Sequence, residues 1–489
     1  MRRIVVLLFT SLVWGNTVTL AQRTQPRGPG EQFSLNMHLM SHIPLGGAQP
    51  LLDSKFQSAD VEGLGRRTCD IEVEQELSRP YAYVCSRFAP SGFYVIEFKD
   101  PARAHMLWHW TIENADIHRG SGALNPAYVK THGRYYMAIA TQFQMGGPDN
   151  DLGAVVFDVT GLPDTTKIKE IGRIKDPEAP GGFHESITYK HSSGMPLLIT
   201  TSTRPFANLF DMDKVVAGDS KQGLVGRVPL PDTTTVTRSF TPRDTTNGRG
   251  ARAGPRGATF HDFYAGYDPV SHQDRLYGAG TGGYYVFDIT DVTNPKLLTS
   301  VTGISGVGYG HTFTPDATGR YAVTEVEYRY APLRIFDLKP GLDGNVKTIS
   351  RPVGAWTANW VNYSHNHEVR WPYVFVAAFE DGIQVFNMMD PTNPYTVGYY
   401  DTFDGPNGNE TLSPEQKAQL RDGNNGGWGI DVRNADGLIV LSDFTTGFWA
   451  VKMDGFDGWN GHQWGVPNVS SAQDWDNGPD GAPKPQKVS

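Results

Sequence analysis

The chain of 489 residues exceeds an ordinary single domain, yet large all-β rings run to such lengths, so one domain remains admissible. Its 55 glycines, 33 prolines and 11% aromatic residues favour many short strands joined by tight turns, and no long stretch carries a helical period. A formal net charge of −9 argues against nucleic acid as a partner, because phosphate binding requires a basic face.

The N-terminus reads as an address. Arg2 and Arg3 precede an apolar stretch from Ile4 to Trp14, and Thr19-Leu20-Ala21 offers small residues for cleavage. Residues 1–21 are therefore expected to be a Sec-type signal peptide, and residues 22–32 a flexible lead. No cysteine stands directly after the cleavage site, so no lipid anchor is expected, and no segment is long enough to span a bilayer. The expectation is a secreted or periplasmic monomer. In an oxidising compartment Cys69 and Cys85, at the two ends of one hairpin, are expected to form a disulfide worth about 3 kcal/mol.

From Gly92 onward a strand signature recurs: "GFYVIEFKD", "GAVVFDVTG" from Gly153, "GYYVFDITD" from Gly283, "PLRIFDLKP" from Pro332, "GIQVFNMMD" from Gly382 and "GFWAVKMDG" from Gly447. A weaker copy, "GLVGRVPLPD" from Gly223, makes seven. Each follows two shorter strands, and most precede a fourth. This is the pattern of an all-β, seven-bladed β-propeller of four-stranded antiparallel blades, spanning residues 33–465. The seventh unit runs from "FWAVKMDGF" into "DGWNGHQWGVPN", which supplies no fourth strand. The segment Phe33 to Gly47 is expected to complete that blade and close the ring, leaving few free edges. Residues 466–489 are polar and rich in Gly and Pro, and are expected to be a disordered tail.

At the end of the signature, Asp158, Asp288, Asp337 and Asn387 sit where a strand meets a turn. Their short acceptors are expected to bond nearby backbone N–H groups.

The segments "YYVFDITDVTNPKLLTSV" and "IQVFNMMDPTNPYTVGYY" resemble the LVIVD repeat of secreted bacterial and archaeal proteins. That resemblance implies a propeller in an extracytoplasmic setting and fixes no single activity.

Aligned backward from the third strands, four consecutive units begin with a histidine: "FHESI" (His184), "FHDFY" (His261), "GHTFT" (His311) and "NHEVR" (His367). First strands line the channel of a propeller, so these imidazoles are expected to converge at one mouth. Imidazole is the commonest ligand for zinc, copper, iron and nickel, which makes the four a candidate site for a transition metal, zinc or copper. His365 is then a further ligand or a donor behind the ligands. Strand alternation should turn Glu185, Asp262 and Glu368 sideways between blades, where they would hold imidazole or backbone groups. A wet structural ring of histidines and a site for an anionic ligand are the competing readings. His132, His191 and His272 fall in turns at the opposite face and are expected to be solvated.

The long irregular segments emerge at the His-lined mouth, among them "STRPFANLFDMDKVVAGDSKQ" and one that holds a helical turn from Ser413 to Gly423. The basic run Arg243 to Arg256 reads as a loop. The mouth also resembles the selenium-binding or methanethiol oxidase propellers, in which channel histidines hold copper. Two functions follow: a binding or scaffold propeller recognising an unknown ligand or protein at this face, or a metal-dependent redox or hydrolytic enzyme using the same mouth.

Overall fold

The computed structural model describes residues 34–461, apart from 46–67, 232–257, 403–425 and several stretches of one to four residues, together with residues 470, 471 and 474–476. The expected signal peptide and the expected helical turn at 413–423 lie outside the described residues.

The strands form seven sheets, each with an antiparallel core of four strands. Blade 1 comprises Thr68–Val73, Tyr81–Ser86, Gly92–Glu97 and His105–Thr111; blade 2, Gly122–Thr131, Arg134–Gln142, Leu152–Asp158 and Lys169–Lys175; blade 3, Ser186–Lys190, Pro196–Thr200, Phe206–Asp211 and Leu224–Pro229. Blade 4 is built from Phe260–Asp268, Gln273–Gly280, Gly283–Asp288 and Lys296–Thr302, and blade 5 from Phe313–Pro315, Tyr321–Thr324, Leu333–Asp337 and Gly354–Trp356. Blade 6 holds Asn366–Arg370, Tyr373–Ala377, Ile383–Asn387 and Tyr395–Tyr400. Blade 7 holds Gly427–Arg433, Leu438–Asp443 and Gly447–Met453, and takes its fourth strand, Met37–Ile43, from the N-terminus. The α-helices among the described residues are single turns, Met212–Val216 and Lys339–Leu342.

Second strands such as Tyr81–Ser86 and Leu438–Asp443 are buried along their whole length, because both faces meet a neighbouring blade. Seven apolar clusters fill the seven interfaces. One joins Phe375 and Val385 of blade 6 to Leu441 and Trp449 of blade 7, and another joins Val440 and Phe448 of blade 7 to Val84 and Ile96 of blade 1.

Ring closure follows the expectation. Met37 pairs with Met453 and Ile43 with Phe448. The same segment does more, because Ser34 and Leu35 first pair with Tyr400 and Tyr399 at the edge of blade 6. Asn36 turns the chain between the two blades at φ 54, a conformation that asparagine tolerates better than most residues.

The turn residues behave as expected. Asp158 accepts from Thr160 N at 3.0 Å, Asp288 from Thr290 N at 2.9 Å, Asp337 from Lys339 N at 3.0 Å and Asn387 from Met389 N at 2.7 Å.

Three expectations need correction. The third strand of blade 3 is Phe206–Asp211, and the stretch from Gly223 is its fourth. "FANLFD" carries the same terminal acceptor as the other copies, with Asp211 accepting from Asp213 N at 3.0 Å. Second, Cys69 and Cys85 stand on adjacent strands but are free, buried thiols. The ladder shifts register between Thr68 and Ile71, and the Cys69 thiol donates to the Ala123 carbonyl of blade 2 at 3.2 Å. Third, the described residues beyond 466 are seated on the ring. Ser470 N donates to Ala265 O at 2.8 Å, Arg370 Nη2 donates to Ser471 O at 3.1 Å, and Trp475 packs on the apolar clusters of blades 1, 2 and 3. Paired backbone and an apolar ring hold these residues where composition alone suggested disorder.

Candidate metal centre above an acidic chamber

Four of the seven innermost strands carry an irregularity beside the site. Register shifts leave Leu124, His261 and Trp428 unpaired in blades 2, 4 and 7, and Cys69 with Asp70 in blade 1. At a bulge the alternation of side chains is interrupted. In blades 4 and 7 the bulged His261 and Trp428 join one arc of rings, while Asp262, the successor of His261, lines the channel.

Four imidazoles and an indole form an arc across blades 3 to 7. Ring centroids are 4.6 Å apart for His184 and His261, 4.0 Å for His261 and His311, 4.7 Å for His311 and His365, and 3.9 Å for His365 and Trp428. The structure thus brings together His184, His261, His311 and His365, and leaves His367 out. The backbone of His365 donates to Ala377 O at 2.9 Å, as that of His311 donates to Glu325 O at 3.0 Å. These two are the equivalent positions, and His367 lies two residues further along.

Second partners orient the rings. His184 Nδ1 is 3.0 Å from Gln142 Oε1, and His365 Nδ1 is 3.0 Å from the Trp428 carbonyl oxygen. Both oxygens accept, so each Nδ1 carries the proton and each Nε2 keeps its lone pair, as in metal-binding histidines. His184 Nε2 lies 3.1 Å from His261 Nε2, near the roughly 3.3 Å expected of two nitrogens at about 2.05 Å from one tetrahedral ion. Ligand atoms of His261, His311 and Glu327 all fall within 4.8 Å of one another, and buried His311 Nε2 has no hydrogen-bond partner among the described residues.

Burial keeps His261, His311 and His365 uncharged. It pushes His261 down to about 4 and holds His311 and His365 well below the ordinary imidazole range, with neighbouring imidazoles adding to the effect. The His184 side chain is 28% exposed and gives the arc its opening to solvent.

His367 occupies a different environment. It is fully buried between blades 5 and 6, with Nδ1 at 3.2 Å from Glu325 Oε2. Burial lowers the imidazole to about 3 and raises the Glu325 carboxyl well above its usual range, so both are neutral.

The acidic neighbours do not run sideways between blades as the alternation predicts. Glu185 and Asp262 follow the arc positions and line a central cavity of about 60 Å³ with Asp70, Asn125 and Asn366. Blade 7 contributes Gly429 at this level, where a Cβ would meet Asp70 Oδ1 at 2.7 Å. One tier lower lie Glu72, Tyr264, Glu368 and Asp431. Burial raises Asp70 to about 7 and Asp262 to about 8, and raises Asp431 to about 8 with the help of the nearby Glu368 charge.

Sequence reasoning missed Asp70, Asn125, Gln142, Glu327 and Trp428. A findable signal was the alternation "HTFT" against "HNHE", which aligns His365 and Asn366 with His311 and Thr312. At the opposite face His132 and His272 sit exposed in left-handed turns, whereas His191 is buried, with Nε2 at 3.2 Å from Asp274 Oδ2.

Among the described residues no helix is long and apolar enough to cross a membrane. No protein-family model matches the chain, and no curated protein matches it. Among solved structures it is similar to the WD40 β-propeller domain of Doa1, at 8% identity and a TM-score of 0.46, over 86% of this chain and 98% of that one.

Proposed function

We propose that this chain is an exported, LVIVD-type binding propeller that holds a transition metal, zinc or copper, at the mouth lined by His184, His261, His311 and His365. The observation that carries the reading is the 3.1 Å approach of His184 Nε2 to His261 Nε2. Its support is the engagement of His184 Nδ1 and His365 Nδ1 by Gln142 and the Trp428 carbonyl, which leaves Nε2 of each ring as the ligand atom. The uncharged imidazoles of His261, His311 and His365 add no repulsion to a bound cation, and Glu327, 3.8 Å from His311 Nε2, offers one anionic ligand. The exposed flank of His184 favours a second reading as a metal-dependent redox or hydrolytic enzyme, because an open coordination position is what catalysis at a metal requires. The LVIVD-like segments and the N-terminal address support export.

The test is metal analysis of protein purified from its native compartment, followed by calorimetric titration of the metal-free protein with zinc and copper. His261→Ala should weaken binding at least tenfold, while His272→Ala, at the opposite face, should leave it unchanged. Equal binding by the two variants would refute the site.

A further inference from the structure

Beneath the arc the channel presents a different donor set. Asp70, Glu185 and Asp262 enter the cavity from blades 1, 3 and 4, and the amides of Asn125 and Asn366 enter from blades 2 and 6. Asn366 Nδ2 donates to Asp70 Oδ1 at 2.7 Å, and the Asn125 oxygen accepts from Ser186 Oγ at 3.1 Å. Among the described residues Asp70 Oδ2 has no hydrogen-bond partner, although Asp70 is only 3% exposed. A buried carboxylate oxygen left in this state is costly unless a cation or proton meets it.

The charge around the cavity is unevenly compensated. In the lower tier Arg370 Nη1 donates to Glu368 Oε2 at 2.8 Å and Nη2 approaches Asp431 Oδ1 at 3.5 Å, while Tyr264 also donates to Glu368. The upper tier has no arginine or lysine among the residues that line the cavity. Burial raises Asp70 and Glu185, and Arg87 offsets this only in part, because it lies over the Trp428 ring at 5.2 Å and does not line the chamber. Three carboxyl groups of the upper tier, above Glu72, Glu368 and Asp431, therefore share an enclosure with no arginine or lysine among its lining residues.

We propose that this chamber is a second cation site, separate from the His arc, that takes a hard divalent ion of the calcium or magnesium class through Asp70, Glu185 and Asp262. Oxygen donors select such ions, as imidazoles select softer ones. The cavity of about 60 Å³ is several times the roughly 15 Å³ that admits one water, so the ion can enter with part of its hydration shell and be reached by carboxylates from three blades. The two sites would discriminate by donor chemistry within one channel.

The test uses full-length protein stripped with a chelator and titrated calorimetrically with calcium chloride and, separately, magnesium chloride. The expected result is saturable binding at one ion per chain, with a rise in melting temperature. That binding should survive His261→Ala and fall at least tenfold in Asp70→Asn, while zinc binding by Asp70→Asn stays as in the parent. Glu185→Gln, which removes a charge from a different blade, provides the same reading if Asp70→Asn does not fold. Absence of calcium and magnesium binding by the parent protein would overturn the proposal and leave protons as the neutralising species. Undiminished binding by the folded carboxamide variants would overturn it equally.

Discussion

His367 Nδ1 and Glu325 Oε2 lie 3.2 Å apart, both out of reach of solvent, and neither group is charged. The pair belongs to the interface of blades 5 and 6. Glu325 Oε1 already lacks a partner, so His367→Ala would leave the whole carboxyl unsatisfied and should destabilise the protein by about 1–3 kcal/mol. It should leave zinc affinity within twofold of the parent. His365→Ala should do the reverse, weakening zinc binding with a smaller effect on the denaturation midpoint. Urea unfolding and calorimetry on the two variants check this, and a large loss of zinc affinity in His367→Ala would show that the ligand set is misassigned.

The chamber predicts an unusual pH dependence. Asp431 stays protonated in the folded chain up to about pH 8 but ionises near 3.9 when unfolded. The folded state then binds more protons over that interval, and stability falls as pH rises. The buried histidines of the arc act oppositely only below about 6.5, where unfolded imidazoles take up protons. Between pH 6.5 and 8 the chelator-treated protein should therefore lose stability, on the order of 1 kcal/mol for each such carboxyl. Asp431→Asn should flatten the slope. Thermal melts at half-unit intervals measure it, and a melting temperature that climbs over this range would contradict the account.

The seated C-terminal residues make a third prediction. Trp475 packs on the clusters of blades 1, 2 and 3, its carbonyl accepts from Lys190, and the Asp476 carboxylate meets Lys130 Nζ at 2.5 Å. Trp475→Ala should destabilise the chain by about 1–2 kcal/mol, in proportion to the apolar area of a half-buried indole. Asp476→Asn should change little, since its side chain is 65% exposed and exposed ion pairs contribute at most about 1 kcal/mol. An unchanged denaturation midpoint for Trp475→Ala would mean that the segment does not hold the ring.

Much of this fold is legible in the sequence because a propeller repeats one local rule. The end of each third strand is marked by Asp158, Asp288, Asp337 or Asn387, which bond the backbone two residues on, and this needs no tertiary context. Blade 3 was harder to read because "FANLFD" runs directly into the helical turn at Met212–Val216, which hides the strand boundary. The site was less legible still. Two histidines two residues apart share a face of an ideal strand, so periodicity cannot choose between His365 and His367. The choice is made by where pairing with Ala377 begins. The inward turn of Asp262 was unreadable for a related reason. It depends on the bulge at His261, which strict alternation cannot anticipate.

The clasp between Met37–Ile43 and Gly447–Met453 also sets a clock. The first strand of the ring to be synthesised waits for the last, and His38 bonds Asp454 across 416 positions of sequence. At the usual 5–20 residues per second, the N-terminal strand spends roughly 20–80 s without its partner. Its bulge, between Leu39 and Ser41, and its polar residues His38, Ser41 and His42 suit that interval, because a kinked and half-polar strand is a poor template for pairing with another nascent chain. The closing pair thus cannot form before the last blade has been made, whereas the interfaces from blade 1 to blade 6 can form while the circle is open.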